Sequence, residues 1–452
     1  MSKVKEKLNK KSIVVIVVIV VICVILLSLT IYLRYSYSVS NNFKSAIYPG
    51  VSIENIAMGG KTKEEAKNIL VEKYDKPLEK GSIDIRVKEQ VYSLPYADIN
   101  IKYNIDEVIN SAFEYGKDLN FYSQYKIIKE PKEMNYNLSL SYDKEVVQGF
   151  LENADKTLNK EIVDATIAKV GENFQVASEK VKEEIDITQA FEEITKKIEN
   201  RETEVSLETT IKVTNPKIMA DDLKKIDTVI SSFSTKFNPN ERSINIQIAS
   251  KAASGVVVMP GDTYSFNELV GDTTPDKGYR EAPVIVNNKL EPGYGGGVCQ
   301  VSTTLHNAVV RAGIIPTERM HHSMPVSYVP KGMDAMISYN MVDYKFKNTL
   351  NFPIYIHSYV LNNELIFSIY SNSTLKNKTY DLVSDIYKEI PQNIKYIKDN
   401  KLKKGQEVVD NIGSNGYKVK VYLVTYENGE SNKRLLYNDY YEPVDKIIKK
   451  NI

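Results

Sequence analysis

The chain has 452 residues, more than one ordinary domain of about 150 residues accounts for. Its 59 Lys and Arg residues balance 58 Asp and Glu residues, and no compact basic block occurs beyond the N-terminus. This balance excludes the electrostatic attraction on which nucleic-acid binding depends. We therefore expect several modules in sequence and no nucleic-acid partner.

The first distinctive segment is an almost unbroken apolar run from Ile13 to Leu33. As a helix it is long enough to cross a hydrocarbon core of about 30 Å. Lysines precede it, so the positive-inside rule predicts a cytoplasmic tail over residues 1–12, a transmembrane anchor over 13–33 and an extracellular remainder. A cleavable signal peptide is the alternative, although its apolar stretch is typically only about 7–15 residues. Residues 34–45 are expected to form a short tether.

Two small α+β modules are predicted next, over residues 46–130 and 136–225. In the first, Thr62 and Glu65 have the spacing of a capping box at the start of a helix. In the second, a helix is expected from Lys144 and another after Asp186. The Lys-rich and Glu-rich faces of both modules predict solvated surface without chemistry.

Cys299 is the one cysteine outside the apolar run, because Cys23 lies within it. An unpaired cysteine in an extracellular domain is either reactive or buried in the core. Cys299 follows a flexible glycine run, Gly295–Gly297, and opens a predicted helix that ends near Gly313. A thiol at a helix N-terminus has a lowered pKa, so we interpret Cys299 as a nucleophile.

All four histidines lie in the same region as this thiol. His306 is two helical turns away, about 10.5 Å along the axis, which favours a position on a pocket wall or the surface. His321 and His322 lie on a later loop that can fold back over the helix, so one of them is the candidate general base. Asp334 can orient that base, and backbone N–H groups at the helix start can hold an oxyanion. His357 is expected to end a strand and to have a structural role.

Metal binding is the alternative use of one cysteine and several histidines. Zinc ligands usually occur as close pairs separated by two to five residues, whereas His321 and His322 are adjacent on a loop. We therefore expect neither a metal ion nor a cofactor.

The last segment, residues 375–452, contains alternating strands such as Tyr417–Val424 between glycine-marked turns. It contains neither histidine nor cysteine, and we expect it to bind or position rather than to react. The predicted fold class is multidomain α+β, with one transmembrane helix, two small α+β modules, an α+β domain over residues 226–371 and a small all-β C-terminal domain.

Several motifs together resemble the VanW family over a match from about Ile226 to Ile356. They are Asn245-Ile246, Pro260–Asn267, Gly278–Ile285, Gly295–Thr304, His322-Ser323 with Pro325-Val326, and Tyr328–Asp334. The N-terminal modules are similar to the peptidoglycan-binding domains often found ahead of VanW, and the C-terminal one to a glycine-marked, wall-associated domain found behind it. The resemblance implies a role at the peptidoglycan of Gram-positive bacteria.

Some anchored members of that family are L,D-transpeptidases that form 3-3 cross-links. The resemblance implies that Cys299 attacks the third residue of a tetrapeptide stem, releases D-Ala and passes the acyl group to a diaminopimelate amine. Family members commonly have His-Pro-His-Ser where this chain has Met320–Ser323, so His322 matches the retained second histidine and is assigned the base. The family position of His306 is usually aromatic.

The same motifs supply the expected substrate-binding residues, which are Gly295, Gly296, Gly297, Ser302, Thr303, Arg280 and Ser323. Two alternatives stay open. One is a non-catalytic protein that only grips stem peptides, and the other is a hydrolase that releases D-Ala without forming a cross-link.

Overall fold

A computed structural model describes residues 10–286 and 289–451 of the chain. Residues 1–9 of the predicted cytoplasmic tail, with three of its lysines, lie outside the described residues. The chain divides into two compact units. The first extends to Glu161 and also includes Val181–Thr214, and the second comprises Ile162–Lys180 and the chain from Asn215 onward.

Eleven α-helices occur in the described residues. They are α1 (Lys10–Asn42), α2 (Lys63–Leu70), α3 (Lys76–Leu78), α4 (Ile105–Glu114), α5 (Phe121–Lys129), α6 (Lys144–Asp155), α7 (Ile187–Glu199), α8 (Ala220–Leu223), α9 (Glu241–Ala252), α10 (Phe266–Val270) and α11 (Val298–Arg311). A π-helical turn, Val71–Asp75, joins α2 to α3, and 3₁₀ turns occur at Tyr96–Ile99, Pro275–Lys277 and Ser373–Asn377.

The strands are short in the N-terminal part and lengthen toward the C-terminus. They are β1 (Val51–Ile53), β2 (Ile56–Ala57), β3 (Ser82–Val87), β4 (Gln90–Pro95), β5 (Lys102–Tyr103), β6 (Met134–Tyr136), β7 (Leu140–Ser141), β8 (Thr166–Val170), β9 (Asn173–Ala177), β10 (Lys182–Ile185), β11 (Glu204–Glu208), β12 (Ile211–Thr214), β13 (Thr228–Lys236), β14 (Val256–Val258), β15 (Thr263–Ser265), β16 (Glu281–Val286), β17 (Lys289–Tyr294), β18 (Pro316–Glu318), β19 (Lys345–Lys347), β20 (Ile354–Leu361), β21 (Glu364–Ser371), β22 (Lys378–Ile390), β23 (Ile394–Lys398), β24 (Glu407–Asn411), β25 (Gly416–Glu427), β26 (Glu430–Tyr441) and β27 (Lys446–Lys450).

Helix α1 is the one helix, among the residues described, that is long and apolar enough to cross a membrane. Its length and composition fit a membrane anchor or a signal sequence. The predicted tether over residues 34–45 was wrong, because α1 continues to Asn42. Two contacts with α5 accompany the extra turns: the Tyr35 ring packs edge-on against Tyr125 at 5.9 Å, and the Ser40 hydroxyl donates to the Phe121 carbonyl at 2.9 Å.

The first unit has one hydrophobic core to which both predicted N-terminal modules contribute. Strand β11, from the second predicted module, pairs in parallel with β3 from the first. The capping box of Thr62 and Glu65 is confirmed at the start of α2, and Asp186 caps α7. The segments therefore form a mixed helix and strand structure around shared apolar side chains.

The second unit is built on a four-stranded sheet with the order β13-β21-β20-β14. Helix α11 packs on β13 and β21, with α9 beside it. Hairpin β8-β9 also belongs to this unit, where Phe174 meets the rings of Tyr355 and Tyr370 at 5.3 and 5.1 Å. The sheet and α9 thus hold α11 in the centre of the unit.

Helix α11 is buried on nearly every face, which its apolar stripe alone does not require. Val301, Leu305 and Val309 pack into the core, as their spacing predicts. On the polar side, the Asn307 amide donates to the Met333 carbonyl at 2.7 Å, and the Thr304 hydroxyl bonds to that of Thr235 at 2.8 Å. Hydrogen bonding makes the burial of these polar side chains tolerable.

The C-terminal segment is rich in strands and forms two three-stranded sheets, β22-β25-β26 and β23-β27-β24. The first sheet shares a hydrophobic cluster with α11 and the loop after it, in which Val310 and Met333 pack with Val419, Val421 and Tyr441. The coarse prediction is confirmed: the chain mixes helices and strands, begins with an apolar helix and ends in a strand-rich region.

Truncation of Leu305 to alanine should lower the free energy of unfolding by about 2–5 kcal/mol, because it opens a cavity in a core where this side chain is fully buried. Leu361→Ala removes the same atoms from an exposed strand position and should change the free energy of unfolding by less than about 0.5 kcal/mol. Denaturant unfolding of both variants checks this. Equal losses would show that α11 is not packed as described.

Candidate active site

The glycine run before α11 is held by close packing, which corrects the expectation that it is flexible. Gly295 and Gly297 adopt φ of +85° and +111°, values that favour glycine. A Cβ built on Gly296 would lie 2.8 Å from Ala282, and one on Gly297 would lie 2.8 Å from Cγ of Arg242. Only glycine fits here, so the run fixes where α11 begins.

The side chain of Asn245, on α9, forms hydrogen bonds to this turn. Its fully buried amide donates to the carbonyls of Gly296 and Arg280 at 3.0 and 2.9 Å, and its Oδ1 accepts from the Arg280 backbone N–H at 2.7 Å. One side chain therefore fastens two segments that the sequence assigned to the site. Asn245 belongs to one of the sequence motifs, but the sequence did not predict it to be a site residue.

The three predicted catalytic residues meet at the first turn of α11. Cys299, a partly exposed residue, is the second residue of the helix, and the His322 ring lies close enough to its thiol to lower the thiol pKa. His322 Nδ1 lies 2.6 Å from Asp334 Oδ2, and the His322 backbone N–H donates to the same oxygen at 2.7 Å. The thiol also lies 3.5 Å from the Ile337 carbonyl. The loop does fold back over the helix, and it is His322 that faces the thiol.

Charge within this group favours a thiolate paired with an imidazolium. Burial opposes ionisation of Cys299, but the hydrogen bond and charge of His322 outweigh it and lower the thiol pKa. Burial also disfavours the imidazolium, yet the bonds to Asp334 and Cys299 raise the His322 pKa to about 9. Burial disfavours the ionised Asp334 carboxylate, but the hydrogen bonds from His322 and the charge of Arg319 hold the Asp334 pKa well below its usual range.

The second oxygen of Asp334 contacts the C-terminal sheet. The Tyr441 hydroxyl of β26 donates to Asp334 Oδ1, and it accepts from the Gly332 backbone N–H at 2.7 Å. Arg319 Nη2 lies 3.7 Å from the same carboxylate oxygen, while Arg319 Nη1 reaches both carboxylate oxygens of Asp439 at 3.0 and 2.8 Å. Sequence reasoning missed all these partners except Asp334, because they lie far apart along the chain.

Two further side chains border the thiol and were also missed. Tyr328 is close enough to Cys299 to interact with its charge, and burial raises the Tyr328 pKa. The guanidinium of Arg242 lies 5.8 Å from the Tyr328 ring and bonds Gln300 at 3.1 Å. The positive charge of Arg242 adds to the lowering of the Cys299 pKa.

The predicted substrate-binding residues fall into different environments. The hydroxyls of Ser302 and Thr303 are buried and bond the Ala335 carbonyl at 2.7 and 3.3 Å, so they attach the Asp334 loop to α11 instead of facing a substrate. Arg280 and Ser323 are exposed. Contact with substrate by Arg280, Ser323 and the glycine backbone stays a prediction.

The other three histidines do not face the thiol. His306 is buried between Tyr344 and Tyr437, so its placement on a pocket wall or surface was wrong. His321 bonds the His322 carbonyl at 2.7 Å, with its ring 4.9 Å from that of Tyr441. His357 lies in the middle of β20, not at its end. Within the described ranges, no group of three or more His, Cys, Asp or Glu side chains is placed to hold a metal ion.

Comparison with known families divides the chain into three matched regions. Residues 241–370 match the family described as VanW like protein, and this match contains Cys299, His322 and Asp334. Residues 92–206 match a family described as "Putative peptidoglycan binding domain", and residues 383–451 match the G5 domain.

Two curated relatives align with part of the chain. The "Uncharacterized protein YoaR" of Bacillus subtilis (strain 168) is 41% identical over 166 residues, which is 36% of this chain and 55% of that protein. The "Vancomycin B-type resistance protein VanW" of Enterococcus faecalis (strain ATCC 700802 / V583) is 33% identical over 109 residues, 23% of this chain and 40% of that protein. The chain thus spans about half the length of the curated relatives it matches.

The fold and these matches define a multidomain protein with an N-terminal apolar helix and a strand-rich C-terminal end. More particularly, it contains a region that matches the VanW family, preceded by a match to a peptidoglycan-binding type of domain and followed by a match to the G5 domain. The resemblance inferred from the sequence motifs is confirmed.

The pH dependence of thiol alkylation should reveal the charge pair. In a Cys23→Ser background, iodoacetamide should react with Cys299 with a midpoint below the ordinary thiol value of about 8.5, because the thiolate is lost only as the pH falls through a lowered pKa. His322→Ala should raise the midpoint to at least about 8.5, since it removes the imidazolium that persists to about pH 9. His357→Ala serves as the control. Identical midpoints in all three proteins would contradict the pairing.

Proposed function

We propose that the protein is a membrane-anchored, extracellular peptidoglycan L,D-transpeptidase that uses Cys299 as its nucleophile. The observation that supports this most strongly is the placement of His322 beside Cys299, with the His322 ring bonded to Asp334, at the start of α11. It supplies a nucleophile, a base and an orienting group, as cysteine acyl transfer requires. The peptidoglycan-binding match, the G5 match and the apolar α1 support a cell-wall location with a cytoplasmic N-terminus.

In the first step, the Cys299 thiolate attacks the carbonyl carbon of the third residue of a tetrapeptide stem. The new C–S bond replaces the C–N bond to the terminal D-Ala, and the His322 imidazolium gives its proton to the departing amine. The Cys299 backbone N–H stabilises the oxyanion that forms in between, since Gly297 supplies no side-chain cap and the neighbouring N–H groups of Val298 and Gln300 donate to the Gly295 and Gly297 carbonyls.

In the second step, the side-chain amine of a diaminopimelate on a neighbouring stem attacks the thioester. His322 takes a proton from that amine, the C–S bond breaks and the thiolate is regenerated, which leaves a 3-3 amide cross-link. Thiolate is a good leaving group for an amine nucleophile, so the thioester suits transfer. Asp334 holds the imidazole in the orientation that both proton transfers need.

The product assay uses the full chain in detergent with purified disaccharide-tetrapeptide, analysed by mass spectrometry. We expect a dimer of two muropeptides that lacks one D-Ala. Cys299→Ala should abolish formation of the dimer because the nucleophile is gone, and His322→Ala should reduce it by at least about 10²-fold. Cys23→Ser removes the other cysteine and should leave the yield unchanged.

Two outcomes would contradict the proposal. Unchanged tetrapeptide, with measurable binding that survives Cys299→Ala, would instead support a wall-binding protein without catalytic activity. Release of D-Ala without a dimer would support a hydrolase, in which water takes the place of the acceptor amine.

A further inference from the structure

A strand within the G5 match, β26, contacts the carboxylate of the candidate site. Tyr441, the last residue of β26, is fully buried, and its hydroxyl donates to Asp334 Oδ1. Asp334 is itself 1% exposed, and its other oxygen accepts both bonds from His322. A buried carboxylate is costly unless its oxygens are hydrogen-bonded, so Tyr441 meets a requirement that the VanW-matched residues leave partly unmet.

The direction of the Tyr441 hydroxyl is fixed by its two partners. The Gly332 backbone N–H can only donate, and it approaches the hydroxyl oxygen at 2.7 Å. The ionised Asp334 can only accept. The phenolic proton must therefore point at Oδ1, and the hydroxyl has no competing orientation.

Asp439 assists from the same face of β26, two residues before Tyr441. Both its carboxylate oxygens engage Nη1 of Arg319, whose Nη2 lies 3.7 Å from Asp334 Oδ1. Arg319 also donates through Nε to the Asp334 backbone carbonyl at 2.7 Å and through Nη2 to the Gly332 carbonyl at 3.0 Å, so its buried charge is fixed close to the Asp334 carboxylate. Without Asp439, Asp334 would be the carboxylate left to balance this charge, and it would be drawn away from His322.

Close packing brings the Asp334 loop onto the C-terminal sheet. Gly332 has φ of +84°, and a Cβ built on it would lie 2.4 Å from a methyl group of Val421 on β25. Val329 and Met333, on either side of this glycine, belong to the same hydrophobic cluster as Val421 and Tyr441. The contact with the site is therefore part of a packed interface within the second unit.

We propose that the C-terminal β domain is part of the active centre, with Tyr441 as a positioning residue that fixes Asp334 and, through it, His322 against Cys299. The effect on transfer rests on the proposed function, but the effect on the thiol does not. Loss of the hydroxyl lets the carboxylate pivot toward Arg319, which weakens the bond to His322. The thiolate then loses part of its stabilisation.

The test measures Cys299 alkylation against pH in the full chain in detergent, in a Cys23→Ser background. Tyr441→Phe should raise the midpoint by about 0.5–1 pH unit and lower the turnover of tetrapeptide by about 10-fold with KM unchanged. Tyr440→Phe is the matched control, because it removes an exposed hydroxyl from the adjacent position of the same strand. Both tyrosine variants leave the other groups that face the site unchanged, namely Arg242, Arg319, Tyr328, Asp334 and Asp439.

Tyr441→Phe can be tested only if it folds, which a cooperative thermal transition shows. If it does not fold, Asp439→Asn provides an independent test. This second variant should also raise the midpoint, since the Arg319 charge is then balanced by the Asp334 carboxylate, which is drawn away from His322. A folded Tyr441→Phe with the midpoint of Tyr440→Phe would overturn the proposal, as would an unshifted Asp439→Asn. If the midpoint shifts while the unmodified chain forms no cross-linked dimer, the positioning role stands and the proposed transpeptidation fails.

Discussion

The buried carboxylate of Asp334 is the constraint on which the candidate site depends. It lies where three parts of the second unit meet: the first turns of α11, the loop that contains His322, and the C-terminal sheet. Each part supplies something the charge needs, because an uncompensated buried carboxylate would be strongly destabilising. The loop donates through His322, the sheet through Tyr441, and α11 fastens the next residue, Ala335, through Thr303. The geometry of the candidate site follows from the hydrogen bonds that this one carboxylate requires.

The position of the thiol follows from packing of a different kind. Glycines at the start of α11 admit neighbouring backbone and side chains so closely that no Cβ fits at Gly296 or Gly297. Asn245 then ties the turn to α9. Cys299 is held at a helix N-terminus, where the helix dipole favours negative charge. It lies next to His322, whose protonated form is stabilised by Asp334. Packing and charge therefore act on the same two atoms, the sulfur and the facing ring nitrogen.

Local sequence patterns predicted the features that depend on neighbours in the chain. Apolar spacing gave the extent of α11, the Thr62 and Glu65 pair gave a helix start, and the glycine context pointed to Cys299. Patterns could not show which face of α11 is solvated: Ser302 is buried because the Ala335 carbonyl, 33 residues away, accepts its proton. They also could not show that Tyr441 contacts Asp334, which lies 107 residues earlier in the chain. The alternation of a strand indicates which side chains share a face of the sheet, but not which residues that face packs against.

Trapping of the acyl-enzyme tests the central claim most directly. The full chain is mixed with disaccharide-tetrapeptide, quenched in acid and measured by intact mass spectrometry, followed by peptide mapping. Our account predicts an adduct equal to the muropeptide less D-Ala, on the peptide that contains Cys299, and discharged by hydroxylamine as a thioester would be. Substrate turnover without an adduct at Cys299, or an adduct on any other residue, would contradict it.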